Sequence, residues 1–185
     1  MEDGIAALPG VVNAALRSFP PICGRNARVL ILGSMPGIAS LDAVEYYAHP
    51  RNAFWSIAEA LFGIARAQPY AARLRALQEA HIAVWDVLAA CRRRTSLDSH
   101  IEPASIVVND LRDFLRRNSG IGHIYFNGDT ARRLYERHVL ATLTPRQQQL
   151  PRQVLPSTSP AHAGRTLQQK IEAWSVIRQA LAGYS

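Results

Sequence analysis

Four short apolar segments, each followed by a segment with helical features, constrain the fold of this chain more than any other feature. The apolar segments are residues 28–32, 82–87, 122–126 and 154–155, whose length and aliphatic character are typical of buried strands. Helical patterns occupy residues 53–62, 69–80, 110–117, 129–140 and 167–181. This alternation predicts an α/β fold, a three-layer α/β/α arrangement with a short, mainly parallel, four-stranded central sheet.

Two asparagines and a glycine mark the ends of predicted helices. Asn52 precedes the helix 53–62 and Gly63 follows it, and these residue types favour the N-cap and the left-handed C-terminal position. Asn109 precedes the helix 110–117 and is the expected cap there.

Length and composition favour one soluble domain, residues 1–185. A chain of 185 residues fits a single core, and no apolar run approaches the roughly 20 residues that span a bilayer. The acidic start, residues 1–4, is unlike a secretory signal, which predicts a cytoplasmic protein without a membrane partner. Cys23 and Cys91 are too few thiols for a four-thiolate site, so no metal is expected.

The charge balance favours a polyanionic partner. The chain has 21 Lys and Arg against 14 Asp and Glu, a formal net charge of +7. Nucleic acid is the natural candidate, because basic side chains release condensed counterions when they bind it. Every basic residue except Lys170 is arginine, which biased codon usage also explains, so charge alone does not decide the function.

Polar and aromatic side chains follow the predicted strands where the strands end. In a parallel sheet these ends share one edge, and ligands bind beyond it. The segments are residues 33–37 with 46–55, Asp86 with 92–94, Asn127 with Gly128, and residues 156–162. Aromatic rings, amides, a carboxylate and proline-stiffened turns are suited to stacking a flat base, hydrogen-bonding its edge and holding phosphates.

Four sets of motifs at these positions resemble one family, the hypoxanthine-excising (DNA-deoxyinosine glycosylase) branch of the uracil-DNA glycosylase superfamily. They are Gly-Ser-Met-Pro-Gly (33–37) with Tyr-Tyr-Ala-His-Pro-Arg-Asn-Ala-Phe-Trp (46–55), Val-Trp-Asp-Val (84–87) with Ser-Leu-Asp-Ser (96–99), Phe-Asn-Gly (126–128), and Leu-Pro-Ser-Thr-Ser-Pro-Ala-His (155–162). The resemblance implies a monomeric DNA glycosylase of base excision repair. Such an enzyme flips a deaminated base out of DNA and hydrolyses its N-glycosidic bond, with hypoxanthine expected first and uracil or xanthine as alternatives. Water is the only second substrate, so no cofactor is expected.

The resemblance assigns water positioning to Asn52. A neutral amide is a weak base, but its carbonyl orients water, and the gain comes mainly from geometry. The alternative role for Asn52 is to cap the following helix, and the two roles are compatible. Other branches of the superfamily place Asp, Asn or Glu where Met35 stands; methionine cannot hold water, which adds weight to Asn52.

The base-binding set follows from the same resemblance. The 33–37 loop is expected to contact the base, Tyr47 to close the pocket, and Phe54, rather than Trp55, to stack on the base. Asp86 is expected to accept the N1–H of hypoxanthine, where adenine has only an acceptor. The expected base-binding residues are Gly33, Ser34, Met35, Pro36, Tyr47, Phe54, Asp86 and Asn127.

Simpler roles remain open for these residues. The 33–37 loop is also typical of a tight turn, and Asn127 with Gly128 of another. Asp86 is either a loop cap or a base reader, and a protonated carboxyl would invert its preference.

The segment after the fourth strand resembles the loop that this superfamily presses into the minor groove. The expected DNA-binding residues are Pro156, Ser157, Thr158, Ser159, His162 and Arg165. Uracil-specific relatives begin this loop with a histidine that stabilises the leaving base, and Leu155 stands there instead. His162 or His49 is the candidate donor to a purine N7, and residues 92–94 are candidate phosphate contacts or a solvated face.

Two other functions are alternatives at the level of residue types. Replacement of catalytic residue types by Met35 and Leu155 is compatible with a noncatalytic DNA-damage-binding protein. Ser34 and His162 are residue types of a serine esterase, but Ser34 lies outside a Gly-x-Ser-x-Gly elbow and no aspartate closely precedes His162. Residues 33–37 also lack the G-x-G-x-x-G spacing of a dinucleotide-binding loop.

Overall fold

Residues 15–183 are described by the computed structural model, so the acidic start at residues 1–4 lies outside the described part. The strands are β1 (Leu16–Arg17), β2 (Val29–Gly33), β3 (Ile82–Asp86), β4 (Leu88–Cys91), β5 (Val107–Val108), β6 (His123–Asn127) and β7 (Arg152–Leu155). The α-helices are α1 (Ile38–Ala43), α2 (Phe54–Phe62), α3 (Tyr70–Glu79), α4 (Leu111–Arg117), α5 (Asp129–His138), α6 (Pro145–Gln148), α7 (Leu167–Trp174) and α8 (Val176–Ala182). No helix within residues 15–183 is long and apolar enough to cross a membrane.

The central sheet has four strands in the order β3-β2-β6-β7, and every pairing in it is parallel. The register sets Gly33 beside Asp86, and Asn127 beside Leu155. The ends of all four strands therefore meet at one edge, as predicted. The predicted α/β fold class is confirmed.

Two hydrophobic clusters pack on opposite faces of this sheet and form its outer layers. One cluster contains Phe114 of α4 and Tyr135 of α5. The other contains Phe54 of α2 and Trp174 of α7. Side chains of β2 alternate between the two clusters, which explains why its residues are fully buried and uniformly apolar in sequence.

Of the three residues predicted at helix ends, the two that flank α2 are confirmed and the one before α4 is not. The Phe54 N–H donates to Asn52 Oδ1 at 3.0 Å, and Gly63 ends α2 with φ 69 in the left-handed region. Asn109 does not cap α4. Its side chain donates to the backbone carbonyl of Asp86, and Asp110 accepts the capping N–H instead.

A second, antiparallel sheet of order β1-β4-β5 was not predicted. β4 begins only two residues after β3 ends, so the chain passes from one sheet to the other at Val87. The two partners of β4 are two residues long each, too short for a period-two pattern to be visible in sequence.

Candidate active site

A cavity of about 260 Å³ lies at the edge where the four parallel strands end. Most of the residues assigned to a site from sequence line it: Gly33, Ser34, Met35, Pro36, Tyr47, Asn52, Asp86, Asn127, Ser157, Thr158 and Ser159. A groove continues from the cavity and is lined by the remaining loop residues Pro156, His162 and Arg165. Among the predicted residues, Phe54 lines neither.

The prediction that Phe54 stacks on a bound base was wrong. Phe54 is 2% exposed and packs edge-on against Trp55 and Trp174 in the core. The Tyr47 ring stacks on it, with centroids 4.0 Å apart and an interplanar angle of 21°. Tyr47 therefore separates Phe54 from the cavity and supplies the aromatic wall itself.

Tyr47 reaches this position through an uncommon backbone conformation. Its φ is 58, in the left-handed region that side chains other than glycine seldom adopt. The neighbouring turn is fixed by Tyr46, whose N–H donates to the Tyr70 hydroxyl at 2.8 Å and whose carbonyl accepts the Trp55 indole N–H at 3.0 Å. The surrounding contacts thus hold a strained residue at the cavity wall.

Asn52 makes the capping contact expected from its position, and its side chain also lines the cavity. Its Oδ1 accepts the Phe54 N–H, and its own N–H donates to the His49 carbonyl at 2.8 Å. An amide oxygen has two lone pairs, so capping leaves one acceptor site and both Nδ2 hydrogens for other partners. The side chain is oriented by the helix that it caps and lines the cavity.

Asp86 lines the cavity and is 3% exposed. Within the described part of the chain its Oδ2 has no hydrogen-bond partner. Burial raises the pKa of Asp86 to about 7, against the opposing influence of the nearby Tyr46 hydroxyl and Arg93. A carboxyl group with an unpaired oxygen and a pKa near neutrality is typical of a binding or catalytic group.

Gly33 makes room for this carboxyl group. A Cβ atom at Gly33 would lie 2.5 Å from Asp86 Oδ1 and 3.4 Å from the Tyr47 hydroxyl. The glycine at the end of β2 is therefore required by close approach, in addition to the turn that follows it.

A buried ion pair supports the loop at residues 33–37. The Arg93 side chain is fully buried, its Nη1 lies 3.3 Å from Asp98 Oδ1, and its Nη2 donates to the Pro36 carbonyl. The Ser34 hydroxyl donates to Asp98 Oδ2 at 2.6 Å. Arg93 is consequently unable to contact a phosphate, so the expectation that residues 92–94 contact phosphates is wrong for Arg93. Its neighbours Arg92 and Arg94 are exposed.

Asp98 is a cavity residue that was not singled out from the sequence. It belongs to the Ser-Leu-Asp-Ser motif at residues 96–99, which was the signal available for finding it. Burial raises the pKa of its carboxyl group, and Ser34 and Arg93 oppose that rise. Met35 is 6% exposed and packs into the core, and no residue of the 33–37 loop has a carboxylate or amide side chain.

The loop of residues 156–162 is anchored at both ends and in the middle. Trp174 Nε1 donates to the Pro156 carbonyl at 2.9 Å, and Lys170 Nζ donates to the His162 carbonyl at 3.0 Å. In the middle, the Asn127 side chain donates to Thr158 Oγ1 at 2.9 Å and accepts the Thr158 N–H at 2.8 Å.

These contacts refine two of the predicted roles. Thr158 is 1% exposed, so its side chain lies under the loop surface and does not face a phosphate. Asn127 supports the loop through both ends of its amide. Gly128 has φ 96, and a Cβ there would lie 2.9 Å from Ser157 Cβ, which accounts for the Asn-Gly sequence.

The two candidate histidines occupy different places. His49 lines the cavity, and its Nδ1 accepts the Arg51 N–H at 3.1 Å. That contact requires a lone pair on Nδ1, so the neutral ring carries its hydrogen on Nε2. His162 lines only the adjoining groove and not the cavity that Ser34 lines. The Ser34 hydroxyl donates to the Asp98 carboxylate, so Ser34 and His162 do not form the nucleophile–base pair of an esterase.

Two relatives are named hypoxanthine DNA glycosylase. The one from Methanosarcina barkeri is 37% identical over 91 residues, which cover 49% of this chain and 58% of that protein, so the match spans less than two thirds of its length. The one from Methanosarcina acetivorans is 34% identical over 116 residues, which cover 62% of this chain and 72% of that protein.

A solved structure and a family model match most of the chain. A solution NMR structure from Methanosarcina acetivorans, described as a candidate uracil DNA glycosylase, superposes with a TM-score of 0.74. It is 28% identical and covers 91% of this chain and 99% of its own. The model of the uracil DNA glycosylase superfamily matches residues 20–180, and the chain belongs to that superfamily.

Proposed function

We propose that this protein is a monofunctional DNA glycosylase that takes a deaminated base, hypoxanthine first, out of DNA and hydrolyses its N-glycosidic bond in base excision repair. The observation that carries the proposal is one cavity lined by a capping asparagine, a buried carboxyl group and an aromatic wall, Asn52, Asp86 and Tyr47. The names of the two Methanosarcina relatives support the choice of base.

Hydrolysis passes through a sugar with oxocarbenium character, so the enzyme must hold water beside the anomeric carbon and stabilise the departing base. Asn52 is the proposed water-positioning residue. Its remaining acceptor site points a water without removing its proton, and its cap to Phe54 fixes that direction. A hydrophobic Met35 supplies no competing ligand for water.

Asp86 is the proposed base reader. In its ionised form the carboxylate accepts the N1–H of hypoxanthine, whereas adenine would set an N1 acceptor against it. The unpaired Asp86 Oδ2 supports this role, because a buried acceptor without a partner gains most from a ligand that donates to it. Tyr47 is proposed to stack on the base.

His49 is the proposed donor to the leaving purine, ahead of His162. The hydrogen on Nε2 of the neutral ring is the group that would reach N7, and the contact from Arg51 holds the ring in this tautomer. A His49→Gln variant, which keeps an N–H donor, is expected to retain more excision of hypoxanthine than His49→Ala.

The adjoining groove is proposed to take the DNA strand beside the flipped nucleotide. Exposed His162 and Arg165 line it, and the formal net charge of the chain is +7. Binding should weaken with salt by a slope of about −0.9 per phosphate contacted. The proposal includes action as a monomer in the cytoplasm, without a membrane partner or cofactor, because one chain carries the whole cavity and water is the second reactant.

The deciding experiment is single-turnover excision on labelled duplexes that carry hypoxanthine, uracil, xanthine or thymine opposite each normal base. Wild type is compared with Asn52→Ala and with Asp110→Ala. The latter removes the same kind of capping bond from α4, away from the cavity. We expect cleavage at hypoxanthine that is lost in Asn52→Ala and kept in Asp110→Ala, although each variant loses about 1 kcal/mol of stability.

A noncatalytic damage reader is the second candidate, favoured by the apolar side chain of Met35 at the cavity wall and of Leu155 at the start of the loop. Tight binding of hypoxanthine-containing DNA with no cleavage of any base would select this function over the first.

A further inference from the structure

Thr158 lies where three segments of the site meet. It belongs to the loop of residues 156–162, it touches the residue that ends β6, and it touches the residue that precedes α2. Its 1% exposure means that all of these contacts are made under the surface that faces solvent. Its backbone and its hydroxyl are thus engaged mainly by other parts of the protein, although the residue also lines the cavity.

Asn127 fixes one side of Thr158 through two hydrogen bonds. The amide Nδ2 donates to Thr158 Oγ1, and the amide oxygen accepts the Thr158 N–H, at 2.9 and 2.8 Å. Two bonds to one planar amide define both the position and the direction of this residue. The loop is thereby held in register with the end of the central sheet.

The other side of Thr158 reaches the helix that carries the proposed catalytic amide. The Thr158 carbonyl accepts the Ala53 N–H at 2.9 Å. Ala53 follows Asn52 directly, and Asn52 in turn accepts the next N–H of the helix, that of Phe54. Both N–H groups at this helix start are thus satisfied within the site, one by the loop and one by Asn52.

We infer that Thr158 is a positioning residue that couples the DNA-facing loop to Asn52. When the loop is pressed against DNA, its displacement reaches Asn52 through the Thr158 carbonyl and the Ala53 amide. Its side chain matters because the bonds to Asn127 determine where that carbonyl points. This inference rests on the proposed function and adds a residue to it.

Thr158→Val tests the coupling, because it keeps the shape of the side chain and removes the acceptor for Asn127 Nδ2. We expect the single-turnover rate constant at saturating enzyme to fall about ten- to a hundredfold. The Kd for hypoxanthine-containing DNA should stay within about twofold, because no contact to DNA is removed. Thr158→Ser, which keeps the hydroxyl, should restore most of the rate.

Thr144→Val is the matched control. The Thr144 hydroxyl likewise accepts a hydrogen bond, in its case from the backbone N–H of Gln147, at the start of α6 and outside the cavity and groove. We expect it to lower stability without changing the rate of excision. Amide hydrogen exchange at Ala53 gives a readout that is independent of chemistry, and it should be faster in Thr158→Val than in wild type or Thr158→Ser.

The outcomes separate this inference from the proposed function. A wild-type rate in Thr158→Val, a loss confined to Kd, or failure of Thr158→Ser to restore the rate would each overturn the coupling. Absence of excision by the wild type would overturn the proposed function alone, and exchange at Ala53 would then still report whether Thr158 holds the start of α2.

Discussion

The two walls of the cavity are held in place by different kinds of interaction. The loop of residues 33–37 rests on the buried pair of Arg93 and Asp98, next to the buried carboxyl group of Asp86. The loop of residues 156–162 is held chiefly by bonds between neutral groups, with Lys170 as the one charged donor among the contacts described above. The first wall contains an ion pair and a titratable carboxyl group, and the second wall contains mostly neutral groups.

Because of this difference, the two walls are suited to different tasks in the proposed function. Carboxyl groups are collected on the wall that would read the base edge, where their charge state selects between donors and acceptors. The opposite wall carries hydroxyls and backbone groups toward the groove, which Asp98 and Asp129 also line. Perturbing the first wall should therefore alter stability and pH dependence, and perturbing the second should alter stability and geometry without changing pH dependence.

Removing the buried cation should have the largest effect. Arg93→Met leaves Asp98 without its ion-pair partner, and we expect a loss of about 3 kcal/mol in the free energy of unfolding, measured with urea. The lower end of the usual range applies because the Asp98 side chain is 29% exposed. Arg116→Met is the control, since Arg116 is paired with Asp113 on the surface. Equal losses in the two variants would contradict the comparison.

Gly33→Ala should have the next largest effect, in this case on the rate of excision. The added methyl group would lie 2.5 Å from Asp86 Oδ1 and must displace the carboxyl group. We expect the excision rate to fall about a hundredfold, as when a reacting group moves by about 1 Å. Gly164→Ala, which meets no atom within 4 Å, serves as the control. An active Gly33→Ala would show that the placement of Asp86 is not critical.

The wall that contains Asp86 should also make the rate of excision depend on pH. The pKa of Asp86 is about 7, and only its ionised form accepts N1–H, so the rate should fall about tenfold per pH unit below that value. The folded state binds the extra proton between about pH 4 and pH 7, so the contribution of Asp86 to stability falls as pH rises through that window.

Asp86→Asn is the variant that checks both effects. The amide does not titrate, so the inflection near pH 7 should vanish from the excision profile and the matching fall should vanish from urea unfolding. Persistence of the inflection in Asp86→Asn would assign it to another group.

The smallest effect is expected on the neutral wall. Trp174→Phe removes the bond to the Pro156 carbonyl and part of a fully buried ring system, and it should lower the free energy of unfolding by about 2 kcal/mol, equally at pH 6 and pH 8. Trp85→Phe removes a similar bond to the Phe19 carbonyl and is the control for stability. Only the Trp174 variant should slow excision. A loss in the free energy of unfolding that differs between pH 6 and pH 8 would contradict the distinction between the two walls.

The fold was predictable where local pattern and tertiary structure agree. β2 and β3 are buried on both faces, so their apolar runs located them within one residue at each end. β7 begins two residues before its predicted start, because Arg152 and Gln153 lie on an exposed edge strand whose pairing leaves no apolar signature. The predicted helix at residues 129–140 ends at His138, and the one at 167–181 is divided near Ser175.

The site was predictable in its position but not in all its side chains. Phe54 and Tyr47 are both aromatic, and the choice between them depended on a left-handed turn at Tyr47 that no local pattern announces. Arg93 sits between two exposed arginines, and only the folded chain places its guanidinium under the loop. Thr158 resembles its neighbouring serines in sequence, and its burial depends on contacts with distant residues.

The depth of Asp86 decides which partner has to move. Asp86 is 3% exposed, and it lies on a strand of the central sheet. It therefore cannot move out of the protein to contact a base inside a double helix. Under the proposed function the nucleotide must leave its stack, and the cost of opening the base pair then selects among lesions before any chemistry. Excision should then be ranked by how loosely the opposing base holds its partner, with weakly paired lesions processed first.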